Sequence, residues 1–241
     1  MNNIRVLIAA AGLGKRSGLS YPKTLFPIKG QPILLRIIEL LTPYDSEPTV
    51  IVSPDGVRLI RDALCQVGIN AHIVIQPEPL GMGDAVLQFE HSPAHPGCDH
   101  ILLVWGDIPF IQPETVKVLV DRHINDGNDF TFATRIVESA YTVVSRDSKG
   151  NVSGVLETRE QGALIQKGER DIGLFIFKSS IVMDALRKEL PGKWGVSTGE
   201  HGFLYIIAHL ASTGYKVEAL SIASDLDIVS LNSLQDIDAY L

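Results

Sequence analysis

Between Gly12 and Lys23 the chain puts three glycines (Gly12, Gly14, Gly18) and three cations (Lys15, Arg16, Lys23) on one turn, directly after the apolar run 4–10. Glycines in such a turn let the backbone approach a ligand closely, and successive amide hydrogens form a nest for phosphate oxygens. The cations add charge where a polyphosphate would lie. Two phosphate-binding patterns fail on spacing. A dinucleotide turn requires GxGxxG, whereas these glycines read GxGxxxG with two cations inside; a P-loop requires a glycine five residues ahead of its Gly-Lys pair and Ser or Thr after it, whereas position 9 is Ala and position 16 is Arg.

The elements that would carry this turn can be read from periodicity. Residues 4–10 form a continuous apolar run ending in glycines, which predicts a strand covered on both faces of a parallel sheet. Helix patterns at 32–41, 55–67, 83–89 and 112–124 alternate with strand patterns at 49–53, 72–76 and 101–105. Pro32 suits a first helical turn. Strands separated by helices predict right-handed crossovers and a mostly parallel, Rossmann-like doubly wound α/β sheet. From residue 130 the pattern turns β-rich, with strands at 130–136, 141–146, 152–157 and 171–177 and a hairpin turn at DSKGN (147–151). Helices at 179–190 and 203–213, a strand at 216–220 and a short C-terminal helix complete it. Ligands of doubly wound sheets bind outside the carboxyl ends of the strands. The turns 12–23, 76–83 and 106–109 all fall at such ends, so they should meet at one site.

Composition bounds the partners. The 241 residues are 45% hydrophobic, enough for one large α/β core, and the net charge is -7, which argues against a nucleic-acid partner. The first 38 residues hold six cations and no acid, which leaves 15 cations against 28 acids in the rest. That asymmetry suits a local site for a small anion. Two cysteines, Cys65 and Cys98, make no disulfide framework and point to a reducing compartment, the cytoplasm by default. The run VLIAAAGLG is too short to span a bilayer and is closed by Lys15 and Arg16, so no membrane partner is expected.

The stretch AAGLGKRSGLSYPKTLFPIKGQPIL (10–34) resembles the start of the sugar-1-phosphate nucleotidylyltransferases: a glycine-rich turn of GxGxR type, then PK, then a short stretch into the first helix. QPEPLGMGDAV (76–86) resembles the base-binding segment of bacterial N-acetylglucosamine-1-phosphate uridylyltransferases, and VWGDIPFI (104–111) their metal-binding strand end. GVLE (154–157), DIGLFIF (171–177), GEHGFLYII (199–207) and DIVSLN (227–232) follow in family order. The resemblance covers nearly the whole chain and the pyrophosphorylase part alone, without the acyltransferase domain. It implies one nucleotidyltransferase domain over 1–241, with a nucleotide-binding half at 1–128 and a β-rich, sugar-binding half at 129–241.

The implied reaction is attack of a sugar-phosphate oxygen on the α-phosphorus of a nucleoside triphosphate, giving a nucleotide sugar and pyrophosphate. A phosphate monoester has its second pKa near about 6, so the nucleophile needs no general base. The site must instead align two anions and neutralise the leaving pyrophosphate. The resemblance assigns Arg16 and Lys15 to the β- and γ-phosphates, and Lys23 to the gap between α-phosphate and sugar phosphate. Asp107 and Asn232 would hold Mg²⁺, with Asp225 and Asp227 as alternatives to Asn232. Gln76 and the backbone of Ala11, Gly12, Gly14 and Gly81 would select the base, with UTP favoured. Trp105, Glu157, Asp171 and Glu200 would line the sugar pocket. There the sequence departs from the uridylyltransferase pattern: Trp105 stands for Tyr, Asp171 for Asn, AYT (140–142) for YGR, and EHGFLY (200–205) for EYYxTD. A different sugar or sugar-like acceptor is therefore expected.

Two other readings stay open: a cytidylyl- or molybdopterin-type transferase, which shares the opening turn, and a regulatory module that binds a nucleotide sugar without turnover. A homo-oligomer is left open too. Asp107 could alternatively cap the helix near Gln112. The histidines and cysteine of HSPAHPGCDH (91–100) match no zinc spacing and read as solvated. Met82 and Met183 read as packing, and the acidic tail at Asp236 and Asp238 as a solvated face.

Overall fold

The computed structural model describes residues 3–12, 18–161 and 166–238. β1 (Ile4–Ala10) leads through a 3-10 turn (Lys23–Leu25) to a two-strand ribbon, β2 (Pro27–Ile28) and β3 (Gln31–Pro32), and then to α1 (Ile33–Leu41). β4 (Thr49–Val52), α2 (Val57–Val67), β5 (His72–Ile75), α3 (Met82–Leu87), β6 (His100–Trp105) and α4 (Pro113–Asn125) follow. The second half holds β7 (Phe130–Ala140), β8 (Thr142–Arg146), β9 (Val152–Glu157), α5 (Thr158–Gln161), β10 (Gln166–Lys178), α6 (Ser179–Arg187), α7 (Ile206–Ser212) and β11 (Val217–Leu220).

The described residues form one seven-stranded sheet in the order β11-β7-β10-β6-β1-β4-β5. Pairs β6-β1, β1-β4, β4-β5 and β11-β7 are parallel, and only β10 runs against its neighbours β6 and β7. The expected mostly parallel, doubly wound α/β fold is what forms. Alternation along the central strands explains the two-sided core. Val6, Ile8, Leu102 and Val104 pack against α1, α2 and α4, while Leu7, Ile101 and Leu103 face α3, α6 and α7. Five phenylalanines, Phe130, Phe132, Phe175, Phe177 and Phe203, stack on that second face, with ring centroids 5.2 to 6.1 Å apart. Elements match the expected ones to within a few residues except at the ends. Pro32 closes β3 just before α1, and the C-terminal helix is one 3-10 turn (Leu234–Asp236).

The register aligns the strand ends. Ala10 sits opposite Val52, Val52 opposite Ile75, and Ala9 opposite Trp105, so the turns after β1, β5 and β6 leave the sheet at one edge. At the opposite edge the solvated reading of residues 91–100 needs correction for His100. It is buried, its Nδ1 lies 3.0 Å from Nε2 of fully buried His123, and the other His123 nitrogen lies 2.9 Å from the Thr131 hydroxyl. Burial pulls the His123 pKa down to about 3. Among the described residues no helix is long and apolar enough to cross a membrane.

Candidate active site

Lys23 lies at the first residue of its 3-10 turn, and its ammonium donates to the Asp107 carboxylate and, at 3.3 Å, to the Leu231 carbonyl. Asp107 is reached through Gly106, whose amide donates to the Ala9 carbonyl at 2.9 Å. A β-carbon at Gly106 would sit 2.9 Å from that same carbonyl oxygen, so only glycine lets β6 turn this close to β1. The Leu231 amide donates back to the Asp107 carbonyl at 2.8 Å. Three segments distant in sequence are thus tied at one point. Asp107 Oδ1 is buried and has no hydrogen-bond partner among the described residues. An acceptor-only atom left so is suited to a cation.

The C-terminal segment separates the candidate metal carboxylates. Asp227 is fully buried and accepts from the Gln112 amide (2.8 Å), the Thr115 hydroxyl (3.1 Å), and the Ser224 amide and hydroxyl (2.7 and 2.6 Å). It caps α4 across a long stretch of chain, the work considered for Asp107. Asp225 is exposed and pairs with Arg135 at 2.5 Å. Asn232 lines the cleft with Asp107, and its side-chain amide donates to the Ser230 hydroxyl at 2.9 Å. Asp236 is no idle surface acid: it accepts from the Asn232 and Ser233 amides at 3.1 and 2.6 Å and so fixes the turn bearing Asn232.

These groups open onto a cleft of about 1030 Å³ at the carboxyl edge of the sheet. One wall is formed by Ala11, Gly12, Gln76, Gly81 and Met82. Met82, read as packing, thus faces the cleft as well as the core. Gly14, Lys15 and Arg16 lie outside the described residues. Buried Gln76 ends β5, its amide nitrogen donating to the Gly81 carbonyl at 3.0 Å and to Asp84 at 2.8 Å. Gly81 has φ of +107°, a conformation that favours glycine.

The facing wall comes from Tyr141, β9, α5 and the loop 192–205. Glu157, Glu200, Trp194 and Tyr141 line it, with Trp105 at the junction of the walls. Asp171 does not. It is fully buried, accepting from the Thr142 hydroxyl at 2.5 Å and the Gly173 amide at 3.1 Å, and burial raises its pKa. Its hydrogen bond steadies Gly173 at φ +76°, where a β-carbon would lie 2.7 Å from the Trp105 indole. Asp171 therefore supports the tryptophan from beneath. Tyr141 and Arg170 escape pattern reading. The Arg170 guanidinium lies 4.1 Å from the Tyr141 ring centre, and burial raises the phenol to about 12. Tyr141 stands one place along from the family tyrosine in AYT, a shift that hid it.

The two walls are joined. The His201 amide donates to the Leu80 carbonyl at 2.5 Å and the Gly83 amide to the His201 carbonyl at 3.0 Å. A β-carbon at Gly83 would fall 2.1 Å from the Gly202 carbonyl oxygen.

Comparison with known proteins gives the family and the fold to which this cleft belongs. Residues 6–171 match the family model described as the MobA-like NTP transferase domain. The bifunctional protein GlmU of Nitrosomonas eutropha is 30% identical over 238 residues, covering 96% of this chain and 50% of that protein. The chain spans about half the length of the curated relatives it matches over most of its own length. Among solved structures, the inositol-1-phosphate CTP transferase of T. maritima superposes with a TM-score of 0.70 at 16% identity, covering 90% of this chain and 84% of that one. HddC of Yersinia pseudotuberculosis gives 0.69 at 19%, covering 98% and 97%. At those identities the likeness speaks for the fold, that of the nucleotide-diphospho-sugar transferases. The chain belongs to the MobA-like NTP transferase domain family.

Proposed function

We propose that the protein is a Mg²⁺-dependent nucleotidyltransferase that joins a nucleoside triphosphate, UTP in preference, to a sugar or sugar-like phosphate and releases pyrophosphate. The observation that carries this reading is the Lys23–Asp107 pair at the junction of the two walls, with one Asp107 oxygen lacking a protein partner. The residue chemistry fits the metal. Mg²⁺ prefers oxygen ligands and keeps waters and substrate phosphates in its shell, so one carboxylate with Asn232 beside it suffices. Bound there, it would supply positive charge to the phosphates.

The chain's own groups then act by position. The acceptor phosphate arrives ionised, so nothing in the cleft has to take a proton from it. Asp107 would be the carboxylate that holds the metal, and Lys23 is placed to bridge the attacked phosphate and the acceptor phosphate, which otherwise repel. Lys15 and Arg16 are assigned to the departing pyrophosphate. The peptide N–H groups of the glycine turn are assigned to the base and phosphates, and the 192–205 loop and Trp105 to the acceptor ring. The acceptor wall, not the triphosphate turn, carries the departures from the uridylyltransferase pattern, which favours an acceptor other than N-acetylglucosamine 1-phosphate.

The test is pyrophosphate release with Mg²⁺ and four nucleoside triphosphates against a panel of sugar and polyol phosphates. Turnover with UTP and one acceptor class, absent in Asp107→Ala, is the expected result. Turnover with CTP alone would favour a cytidylyltransferase, and UTP binding without release across the panel would favour a non-catalytic binding module.

A further inference from the structure

We propose that Asp84 sets the base selectivity of the cleft by fixing which way the Gln76 side-chain amide faces. This rests on reading the Gly12–Gln76–Gly81 wall as the nucleotide site. The Gln76 nitrogen contacts two groups, the Gly81 carbonyl at 3.0 Å and the Asp84 carboxylate at 2.8 Å. Both are acceptors only, so the orientation follows from chemistry: a reversed amide would place its oxygen against a carbonyl and a carboxylate in a buried setting. Gln88 holds the carboxylate in turn, its amide nitrogen lying 3.3 and 3.4 Å from the two Asp84 oxygens. The backbone of Gln76 is equally fixed, its amide donating to the Val52 carbonyl at 2.9 Å at the end of the sheet.

Both amide hydrogens of Gln76 are therefore engaged by the protein. Only its carbonyl oxygen is left for a ligand in the cleft that Gln76 lines. A side-chain acceptor in the cleft that Gly81 also lines complements the imino N–H of a base edge that reads acceptor, donor, acceptor. Uracil and thymine present that edge. Cytosine presents a lone pair at the imino position, which would face the Gln76 oxygen. Asp84 is a positioning residue here, acting through Gln76 and touching no substrate.

The measurement is equilibrium binding of UTP and of CTP, without acceptor, by titration calorimetry on the whole chain and on Asp84→Asn and Asp84→Ala. Wild type should favour UTP. Asn at 84 has a donor of its own, so the reversed Gln76 amide is opposed by the Gly81 carbonyl alone; CTP binding should strengthen and the UTP:CTP ratio should fall about tenfold, the scale of one misplaced hydrogen bond to a charged group. The Ala variant should show a smaller fall in the ratio, together with a lower melting temperature from the hydrogen bonds that Gln76 and Gln88 lose. An unaltered ratio, or a fall arising only from weaker UTP binding, overturns the role of Asp84 and leaves the base reading intact. Wild type binding CTP at least as tightly as UTP, or binding neither, overturns the base reading and this inference with it.

Discussion

The two walls of the cleft are built differently. The proposed nucleotide wall hangs from the ends of β1 and β6 at the centre of the sheet and of β5 at its edge, with register set by the parallel pairs β6-β1, β1-β4 and β4-β5. The acceptor wall is a hairpin and the loop 192–205, outside the main sheet, and it exposes Trp194 (50%) and Val196 (90%). Chemistry that is the same for every acceptor, holding a triphosphate and attacking its α-phosphorus, belongs on the rigid wall. Selection among acceptors belongs on the wall that can change without disturbing the sheet.

The sharpest way to break this division is at its seam. Lys23→Ala removes the ammonium expected to lie between the two phosphates, and kcat should fall about a hundredfold or more, roughly 3 kcal/mol of transition-state stabilisation. UTP affinity should change far less. Steady-state pyrophosphate release together with UTP titration separates the two, and an equal loss in kcat and in affinity would make Lys23 a plain binding residue. Gly83→Ala tests how the walls are joined. Its β-carbon would collide with the Gly202 carbonyl 2.1 Å away, so the 200–202 segment must retreat from the 80–83 turn. Overpacking of this kind costs about 1–3 kcal/mol, and KM for both substrates should rise while kcat at saturation is largely kept. A rise confined to one substrate would mean that the walls respond independently.

The division also explains what the sequence made legible. The apolar runs and their flanking glycines were enough to place Lys23, Gln76 and Asp107 at one edge, because strand register and connection handedness leave little freedom there. Asp171 was misplaced because a carboxylate opening an apolar strand looks the same whether it faces a ligand or folds under its own bulge to hold Gly173. On paper Asp107 was open as a cap of α4 and Asp227 as a metal ligand, and only the tertiary return of the C-terminal segment, which sets Asp227 against Gln112 and Thr115, separates the two roles. His100 reads as part of a polar loop until its partner His123, on another element, is brought against it. Asp227 and His100 are polar side chains whose partners lie far along the chain, which periodicity cannot report.

The smallest expected effect bears on the acceptor wall alone. Trp194 stands half exposed beside the cleft, its ring 5.3 Å from that of His201 and 5.6 Å from the Lys193 ammonium, on a loop held by hydrogen bonds from the Ser197 amide and Thr198 hydroxyl to Glu160 at 2.8 and 3.0 Å. Those anchors do not pass through the indole. Trp194→Ala should therefore leave those anchors in place while it removes the apolar face proposed to pack on an acceptor ring, along with the indole's contacts to His201, Lys193 and Glu189. One such aromatic contact is worth about 0.5–1.5 kcal/mol, so acceptor KM should rise roughly two- to twelvefold while UTP affinity stays as it was. Both constants come from one initial-rate matrix in the two substrates. If UTP affinity moved with acceptor KM, the loop would belong to the nucleotide wall as well, and selection could not be assigned to one side of the cleft.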